Sequence, residues 1–367
     1  MNQTRLSRAQ TGLQQNNQDL LALVPGPNTL YLSGMHTHLS ERPIVLFIPA
    51  QGDTAVVIPI LEAPKAEAAG IPTDRIFAWG DGEGYVGAFQ QASQALALDG
   101  KTVAVEKLYM RVLELEMLHH TAVDLTITHA DPLLNALRLQ KDPAELAAMR
   151  RAVHIAEEAM ERLLPQIKIG QTEKQIAALL SQELLNGGAD ALSFGPIVSS
   201  GPNAASPHAV PTSRPIQAGE LLIIDWGAIV DDYPSDITRT FAVGEVSDEL
   251  RHIYDTVLAA NEAGKRAAQP EATCSAVDEA ARQAIGQAGY GDYFIHRTGH
   301  GLGLEVHEEP SMMTGNEQPL LPGMTFTVEP GVYVPGLGGV RIEDNVVITA
   351  VGHESLTTIS RDLRRVG

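Results

Sequence analysis

The chain is poor in cysteine, in positive charge and in long apolar runs, and each shortage closes off a class of function. Cys274 is the only cysteine among 367 residues, so no internal disulfide can close and no cysteine-based zinc cluster can form. Lysine and arginine number 26 against 45 aspartates and glutamates, a formal net charge of −19. Phosphate binding needs a basic surface, so this balance argues against nucleic acid or an anionic membrane as partner. The best apolar runs, Leu20–Val24 and Leu221–Ile224, fall far short of a membrane span. The opening stretch MNQTRLSRAQTGLQQNNQ is polar and lacks the apolar core of a signal peptide. The expected location is the cytoplasm.

What remains is ordinary globular material, 44% hydrophobic and 19% charged, long enough for two domains or one large one. The first third alternates β-type runs with helical stretches. Strands are expected at Leu30–Leu32, Ile44–Ile48, Ala55–Ile58, Val103–Val105 and Leu125–Thr128, and helices near Leu61–Ala69, Tyr85–Leu98 and Leu108–His119. That alternation describes a small α/β domain over residues 1–138. From residue 139 the texture changes. Asp142 before Pro143 and Glu145 reads as a helix N-cap with proline at the first helical position. A helix over Ala144–Leu164 follows, then one opened by Gly170-Gln171-Thr172. Long strands are expected at Leu221–Val230, Ile237–Val243, Met324–Val334 and Val340–Ile348, with helices Glu249–Ala268 and Ser275–Ala288 between the pairs. The order helices, strands, helices, strands reads as a duplicated α+β unit over residues 139–367, without a literal sequence repeat.

Four carboxylates sit in unusual company. Asp225 ends the apolar run LLII, and Asp236 opens the strand ITRTF eleven positions on (236 − 225). Glu329 lies within TFTVEPGVY and Glu343 within GGVRIEDNVV, fourteen positions apart (343 − 329). Each pair has the look of a strand, a turn and a returning strand that bring their acids to one place. Several buried carboxylates need compensating cations. With His300 from GHGLG the set becomes four carboxylates and one imidazole, which suits two divalent ions such as manganese, cobalt or zinc.

The segments DWGAIVDDYPSDITRTF, HRTGHGLGLEVHEEP, GMTFTVEPGVY and GGVRIEDNVV resemble, in order, the signature blocks of the proline-specific pita-bread metallopeptidases, Xaa-Pro dipeptidase (prolidase) and aminopeptidase P. The resemblance spans roughly the C-terminal two-thirds. It implies an α/β N-terminal domain ahead of an α+β pita-bread (creatinase/aminopeptidase-like) catalytic domain. It also implies metal ligands at Asp225, Asp236, His300, Glu329 and Glu343, with Asp236 and Glu343 bridging two ions. Asp225 would complete one ion's shell, and His300 with Glu329 the other's. Two such ions lower the pKa of a shared water, so that a bridging hydroxide can attack the scissile carbonyl. By the same resemblance His208 contacts the substrate and helps stabilise the intermediate, His307 is the second active-site histidine, and Arg341 lies near metals and substrate. Glu329 can also carry the proton to the departing proline nitrogen. His296, four before His300, either lines the pocket or packs.

Two motif matches fail on context. Gly299-His-Gly301-Leu-Gly303 has the glycines of a phosphate loop, but the following LEVHEEP reads as strand and turn rather than helix. His307-Glu308 begins like a zincin helix, yet Ser311 stands where the second histidine belongs. The expected substrate is a proline-containing di- or oligopeptide, and a homodimer is the expected assembly. A dipeptidase must grip the free carboxylate of proline with a cation. His36, His38 and Arg42 in the loop GMHTHLSERP are candidates, and Arg214 is another. Dipeptidase is the favoured reading and aminopeptidase P the alternative. A metal-free binding module is the reading from a different class.

Overall fold

Asn2 caps a helix that the polar N-terminal stretch conceals. Its side chain accepts the Arg5 amide, and Leu6, Ala9 and Leu13 recur at three- to four-residue spacing on the buried face of α1 (Gln3–Gln15). The computed structural model describes every residue from Met1 to Gly367, in two compact units, Met1–Arg138 and Leu139–Gly367. No helix is long and apolar enough to cross a membrane.

In the first unit β1 (Leu20–Leu23) is followed by α2 (Pro27–Ser33), then β2 (Val45–Pro49), β3 (Ala55–Pro59), α3 (Ala63–Ala68) and β4 (Ile76–Trp79). The unit ends with α4 (Val86–Leu96), β5 (Thr102–Val105), α5 (Val112–Thr121), β6 (Thr126–His129) and α6 (Asp131–Arg138). The six strands form one mixed sheet, ordered β4-β3-β2-β1-β5-β6. Leu30–Leu32, expected as a strand, lies within α2. Pro27 at the first helical position and Gly34 in the left-handed conformation (φ 75°) frame a helix that outweighs the β-type run between them.

The second unit opens with α7 (Pro143–Leu163), whose Asp142 and Glu145 form a capping box, and α8 (Glu173–Asn186), capped by Thr172 and Gln175. After β7 (Ala191–Leu192) and β8 (Ile197–Ser200) come β9 (Leu221–Trp226), β10 (Ala228–Val230), β11 (Tyr233–Pro234) and β12 (Ile237–Val243). A second helix pair follows, α9 (Asp248–Ala267) and α10 (Cys274–Gln287), then β13 (Gly299–Gly301), β14 (Glu308–Met312) and β15 (Thr325–Val328). The chain finishes with β16 (Gly331–Val334), β17 (Gly338–Arg341), β18 (Asp344–Thr349), β19 (Gly352–Ser355) and β20 (Arg365–Val366). The main sheets are ordered β20-β12-β9-β8 and β14-β13-β15-β18-β19, beside a three-stranded sheet β11-β10-β7 and the hairpin β16-β17.

Three of the long strands expected from sequence are broken in two. Leu221–Val230 divides at Gly227, Met324–Val334 at Glu329-Pro330, and Val340–Ile348 at Ile342-Glu343. All three breaks separate strands of different sheets. Glu343 stands at its break and forms an isolated antiparallel bridge to Thr238 of β12. Helices α7 and α8 pack on β9 and β12 through Met149, Val153, Met160, Leu180, Leu222 and Ile224. Trp226 is fully buried there, and its indole N–H donates to Ala156 O at 2.8 Å. Each large side chain so buried contributes about 1.5–3 kcal/mol. That core fixes the strands from which the acids project.

Candidate metal centre

β9 reads LLIIDW and is buried along its whole length, so Asp225 enters the interior with its neighbours. In the antiparallel register Asp225 faces Thr238, two residues beyond Asp236, and Thr238 bridges Glu343. Three carboxylates thus arrive from three strand segments at one point. His300 reaches it from β13, and Glu329 from the break after β15. Asp225, Asp236, His300 and Glu343 are all buried. Ligand atoms of Asp236, His300 and Glu343 lie within 4.8 Å of one another. His300 Nε2 stands 3.2 Å from Glu329 Oε1 and 3.6 Å from Asp236 Oδ2.

These groups line a cleft of about 630 Å³ with His208, His296, Arg297, His307 and Arg341. The five expected ligands therefore share one cavity with His208, His307 and Arg341. Ser193, Phe194, Gly195, Ile197 and Val306 supply its less polar wall.

One guanidinium stands against the four acids. Arg341 Nη2 donates to Asp225 Oδ2 at 2.6 Å, its Nε to Thr238 Oγ1 at 3.1 Å, and its Nη1 to Pro207 O at 3.1 Å and Tyr333 OH at 3.0 Å. Thr238 Oγ1 in turn donates to Glu343 Oε2 at 2.6 Å. Arg341 reaches the cleft from the end of β17 and Glu343 from the break beyond it, so they share the site without alternating along one strand. Asp225 Oδ1 and Glu343 Oε1 are buried without any hydrogen-bond partner.

Burial is the main force on the protons of this cluster. It raises Asp225 above the usual carboxylate range despite Arg341. Burial and the neighbouring charges of Glu343 and Asp225 push Asp236 well above its ordinary value, and burial with Glu329 and Asp225 does the same to Glu343. Burial works against an ionised Glu329 too, but the hydrogen bond and charge of His300, with His296 and Arg341, carry it down to about 2. The protein alone leaves these acids short of positive charge. Divalent ions are the natural complement, because a cation displaces protons from its ligands.

The remaining residues occupy distinct places. His307 stands at the exposed rim with its ring centroid 4.1 Å from that of His300. Desolvation on its inner side and the His300 ring hold its pKa at about 4. His208 is also exposed. His296, left open between lining and packing, lines the cleft: its Nδ1 lies 2.7 Å from Arg297 O and its Nε2 2.9 Å from Tyr333 OH. The carbonyl fixes Nδ1 as the donor, so the Tyr333 hydroxyl donates to Nε2 while accepting from Arg341. Neither Tyr333 nor Arg297 was singled out in the sequence, although both lie inside the blocks quoted for their neighbours. Arg297 Nη1 donates to Ser311 Oγ at 2.8 Å.

Two of the other cation candidates, Arg42 and Arg214, have side-chain partners of their own. Arg42 is half-buried and holds Asp81 through two contacts, at 3.0 and 2.8 Å. His36 lends its carbonyl to Lys65 at 2.9 Å. Arg214 forms an ion pair with Glu220 and donates to Ser200 Oγ at 2.8 Å, and it is not among the cleft residues. The glycine segment runs from β13 to β14 without a helix, so it is no phosphate loop. A Cβ on Gly301 would run into the Glu309 and Glu308 carbonyls, and one on Gly299 into that of Thr327. The glycines let β13 lie close enough to its neighbours to present His300.

Comparison with known proteins agrees with this geometry. Residues 147–350 match metallopeptidase family M24, and residues 5–140 match the creatinase/prolidase N-terminal domain. The chain is 36% identical over 362 residues to the Xaa-Pro dipeptidase of Lactobacillus delbrueckii subsp. lactis, covering 98% of each. Its fold superposes on a recombinant prolidase from Thermococcus sibiricus with a TM-score of 0.94 and 33% identity, covering 100% of this chain and 99% of that one. It superposes on an X-Pro aminopeptidase from Thermotoga maritima with a TM-score of 0.83 and 30% identity, covering 95% and 98%. Acids crowded beyond what one arginine can balance, on a fold of this kind, have a plain meaning: the chain belongs to metallopeptidase family M24, with a creatinase-type N-terminal domain before a pita-bread catalytic domain.

Proposed function

We propose that this protein is a dinuclear-metal Xaa-Pro dipeptidase. The observation that carries the reading is the pair of buried, unpartnered oxygens, Asp225 Oδ1 and Glu343 Oε1, in a cluster where burial raises Asp225, Asp236 and Glu343 above their ordinary values. The catalytic domain is assigned to residues 139–367 and the N-terminal domain to 1–138. Asp225, Asp236, His300, Glu329 and Glu343 would hold the two ions, with Asp236 and Glu343 shared between them, Asp225 belonging to one, and His300 with Glu329 to the other. When bound, the ions supply Lewis acidity at the scissile carbonyl and a water acidified to near-neutral pKa.

The chain's own groups do the rest. His208 and His307 reach the substrate from the cleft mouth and donate to the oxygen that gains charge. Glu329 accepts a proton and passes it to the departing proline nitrogen. Arg341 keeps Asp225 oriented and holds the Pro207 carbonyl beside His208. Phe194, Ile197 and Val306 offer an apolar wall to the pyrrolidine ring. Arg297 is the cation that binds the free carboxylate of proline, with Ser311 steadying its guanidinium. Manganese is the proposed ion, with cobalt and zinc as alternatives. The proposed working form is a cytoplasmic homodimer.

The X-Pro aminopeptidase from Thermotoga maritima keeps a second reading in view, that of an enzyme for longer peptides. Hydrolysis of Leu-Pro and of a longer Leu-Pro peptide by wild type and Arg297→Ala separates the two. The dipeptidase reading predicts preference for Leu-Pro and a KM for it raised about tenfold or more in the variant, as expected on losing a charge-assisted hydrogen bond. The longer peptide should be barely affected. A wild-type preference for the longer peptide would make aminopeptidase P the better name and leave the metal assignment untouched.

A further inference from the structure

His208 is exposed at the cleft mouth, so its position is set by the loop that carries it. That loop runs from Ser200 to Thr212, and one carboxylate holds both ends. Glu173, the first residue of α8, is fully buried. Its Oε1 accepts the Ser200 amide at 2.9 Å and the Ser200 hydroxyl at 3.3 Å. Its Oε2 accepts the Thr212 amide at 2.9 Å and the Thr212 hydroxyl at 2.7 Å. The Asn203 side-chain amide donates to both oxygens, at 3.2 and 3.1 Å. An ionised carboxylate has about four lone-pair positions, and here all of them serve one loop.

The second half of the catalytic unit repeats the device. Asp278 on α10 is fully buried and accepts the amide and hydroxyl of Thr298, at 2.9 and 2.7 Å, and of Thr314, at 2.9 and 2.7 Å. Thr298 and Thr314 bound the segment that carries His300 and His307. The N-cap threonines of the two helices, Thr172 and Thr273, also each form an isolated bridge to a proline, Pro215 and Pro319. Each half thus closes its histidine-bearing segment on a buried acid of its second helix.

We propose that Glu173 is a positioning residue for His208, its carboxylate clipping the base of the Ser200–Thr212 loop so that the imidazole meets the substrate. The proposal rests on the role given above to His208. Glu173→Gln keeps the size of the side chain but replaces one acceptor oxygen with an NH₂ that faces donors, so the loop base loosens while the surrounding packing stays.

The test is a double-mutant cycle on Leu-Pro hydrolysis with the metal-loaded enzyme, alongside hydrogen exchange. Glu173→Gln should lower kcat about tenfold or more, as misplacing a group by about 1 Å does, with little change in KM and unchanged metal content. In a His208→Ala background the same substitution should cost less than about twofold, since residues that act as a unit are not additive. Amides of residues 200–212 should exchange faster in Glu173→Gln while those of β9 do not. Thr212→Val, which removes one donor, gives the same pattern more weakly and replaces the glutamine variant if that does not fold. Equal losses in the two backgrounds, lost metal or unchanged loop exchange would overturn the proposal. Full activity of His208→Ala alone would overturn the role of His208 and the proposal with it, and would mark the failure as belonging to the histidine even if the loop still loosened.

Discussion

Asp236 and Glu343 grip their protons because each sits in the dark with other acids for neighbours. A carboxylate whose folded pKa is raised binds more protons than the same group in the unfolded chain. Its contribution to the metal-free fold is therefore full at low pH and lost as pH rises through the folded pKa. A divalent ion reverses this by taking the place of the protons. Calorimetric titration of metal into the metal-free protein, in two buffers of different ionisation heat, should show net proton release. Binding that takes up or ignores protons would contradict the cluster's electrostatics. His208 belongs to a different class, since it stands at the rim rather than among the buried acids. His208→Ala should lower kcat on the order of 10²-fold with metal content intact, and loss of the metal would move it into the ligand set. The acids were legible because each stood in a distinctive local phrase, such as LLIID or VRIED, whereas His208 was reached only through the resemblance to the family's blocks. Arg297, Tyr333 and Glu173 were not. Their significance lies in hydrogen bonds to Ser311, to Arg341 and His296, and to the Ser200–Thr212 loop, which no spacing along the chain announces.

Elements were legible where local rules and burial agreed. The capped helices α7 and α8 and the buried strand β12 lie where proline, cap and apolar runs put them. α1 was hidden because a helix with one narrow buried face can be polar elsewhere, and α2 because its frame of Pro27 and Gly34 outweighed the run between them. Two of the three divided strands broke where an acid had to leave a sheet. An apolar run continues across Glu329 and Ile342, but one strand cannot pair in two sheets, so the chain turns there and presents Glu329 and Glu343. The β13–β14 pairing is likewise irregular between His300 and Gly301. Gly301→Ala would force a methyl against backbone carbonyls of Glu308 and Glu309, and overpacking of this kind costs about 1–3 kcal/mol. At about 2–4 °C per kcal/mol for a unit of this size, thermal unfolding should show a fall of at least about 2 °C, with loss of activity. Gly286→Ala, whose methyl meets nothing within 4 Å, should leave Tm unchanged or slightly higher, as alanine favours helix over glycine. Equal effects at the two sites would contradict the close-packing argument.

For the whole molecule, a net charge of −19 gave no hint of how much belonged to a site. Four of the acids converge on one cleft with a single arginine as direct partner. The doubled plan of two helices and a sheet brings them there, with Asp225 and Asp236 from the first half and Glu329 and Glu343 from the second. That plan could be read from the order of elements, but not the clips that hold each half's histidine segment, because they join residues remote in sequence. The central claim is that this convergence exists to hold two ions on which hydrolysis depends. Stripping the purified protein with a chelator, measuring its metal content and following Leu-Pro hydrolysis as manganese is returned tests it most directly. Activity should be absent in the stripped protein and should rise to a plateau as bound metal reaches two ions per chain. Full turnover in a sample verified to be free of metal would contradict it.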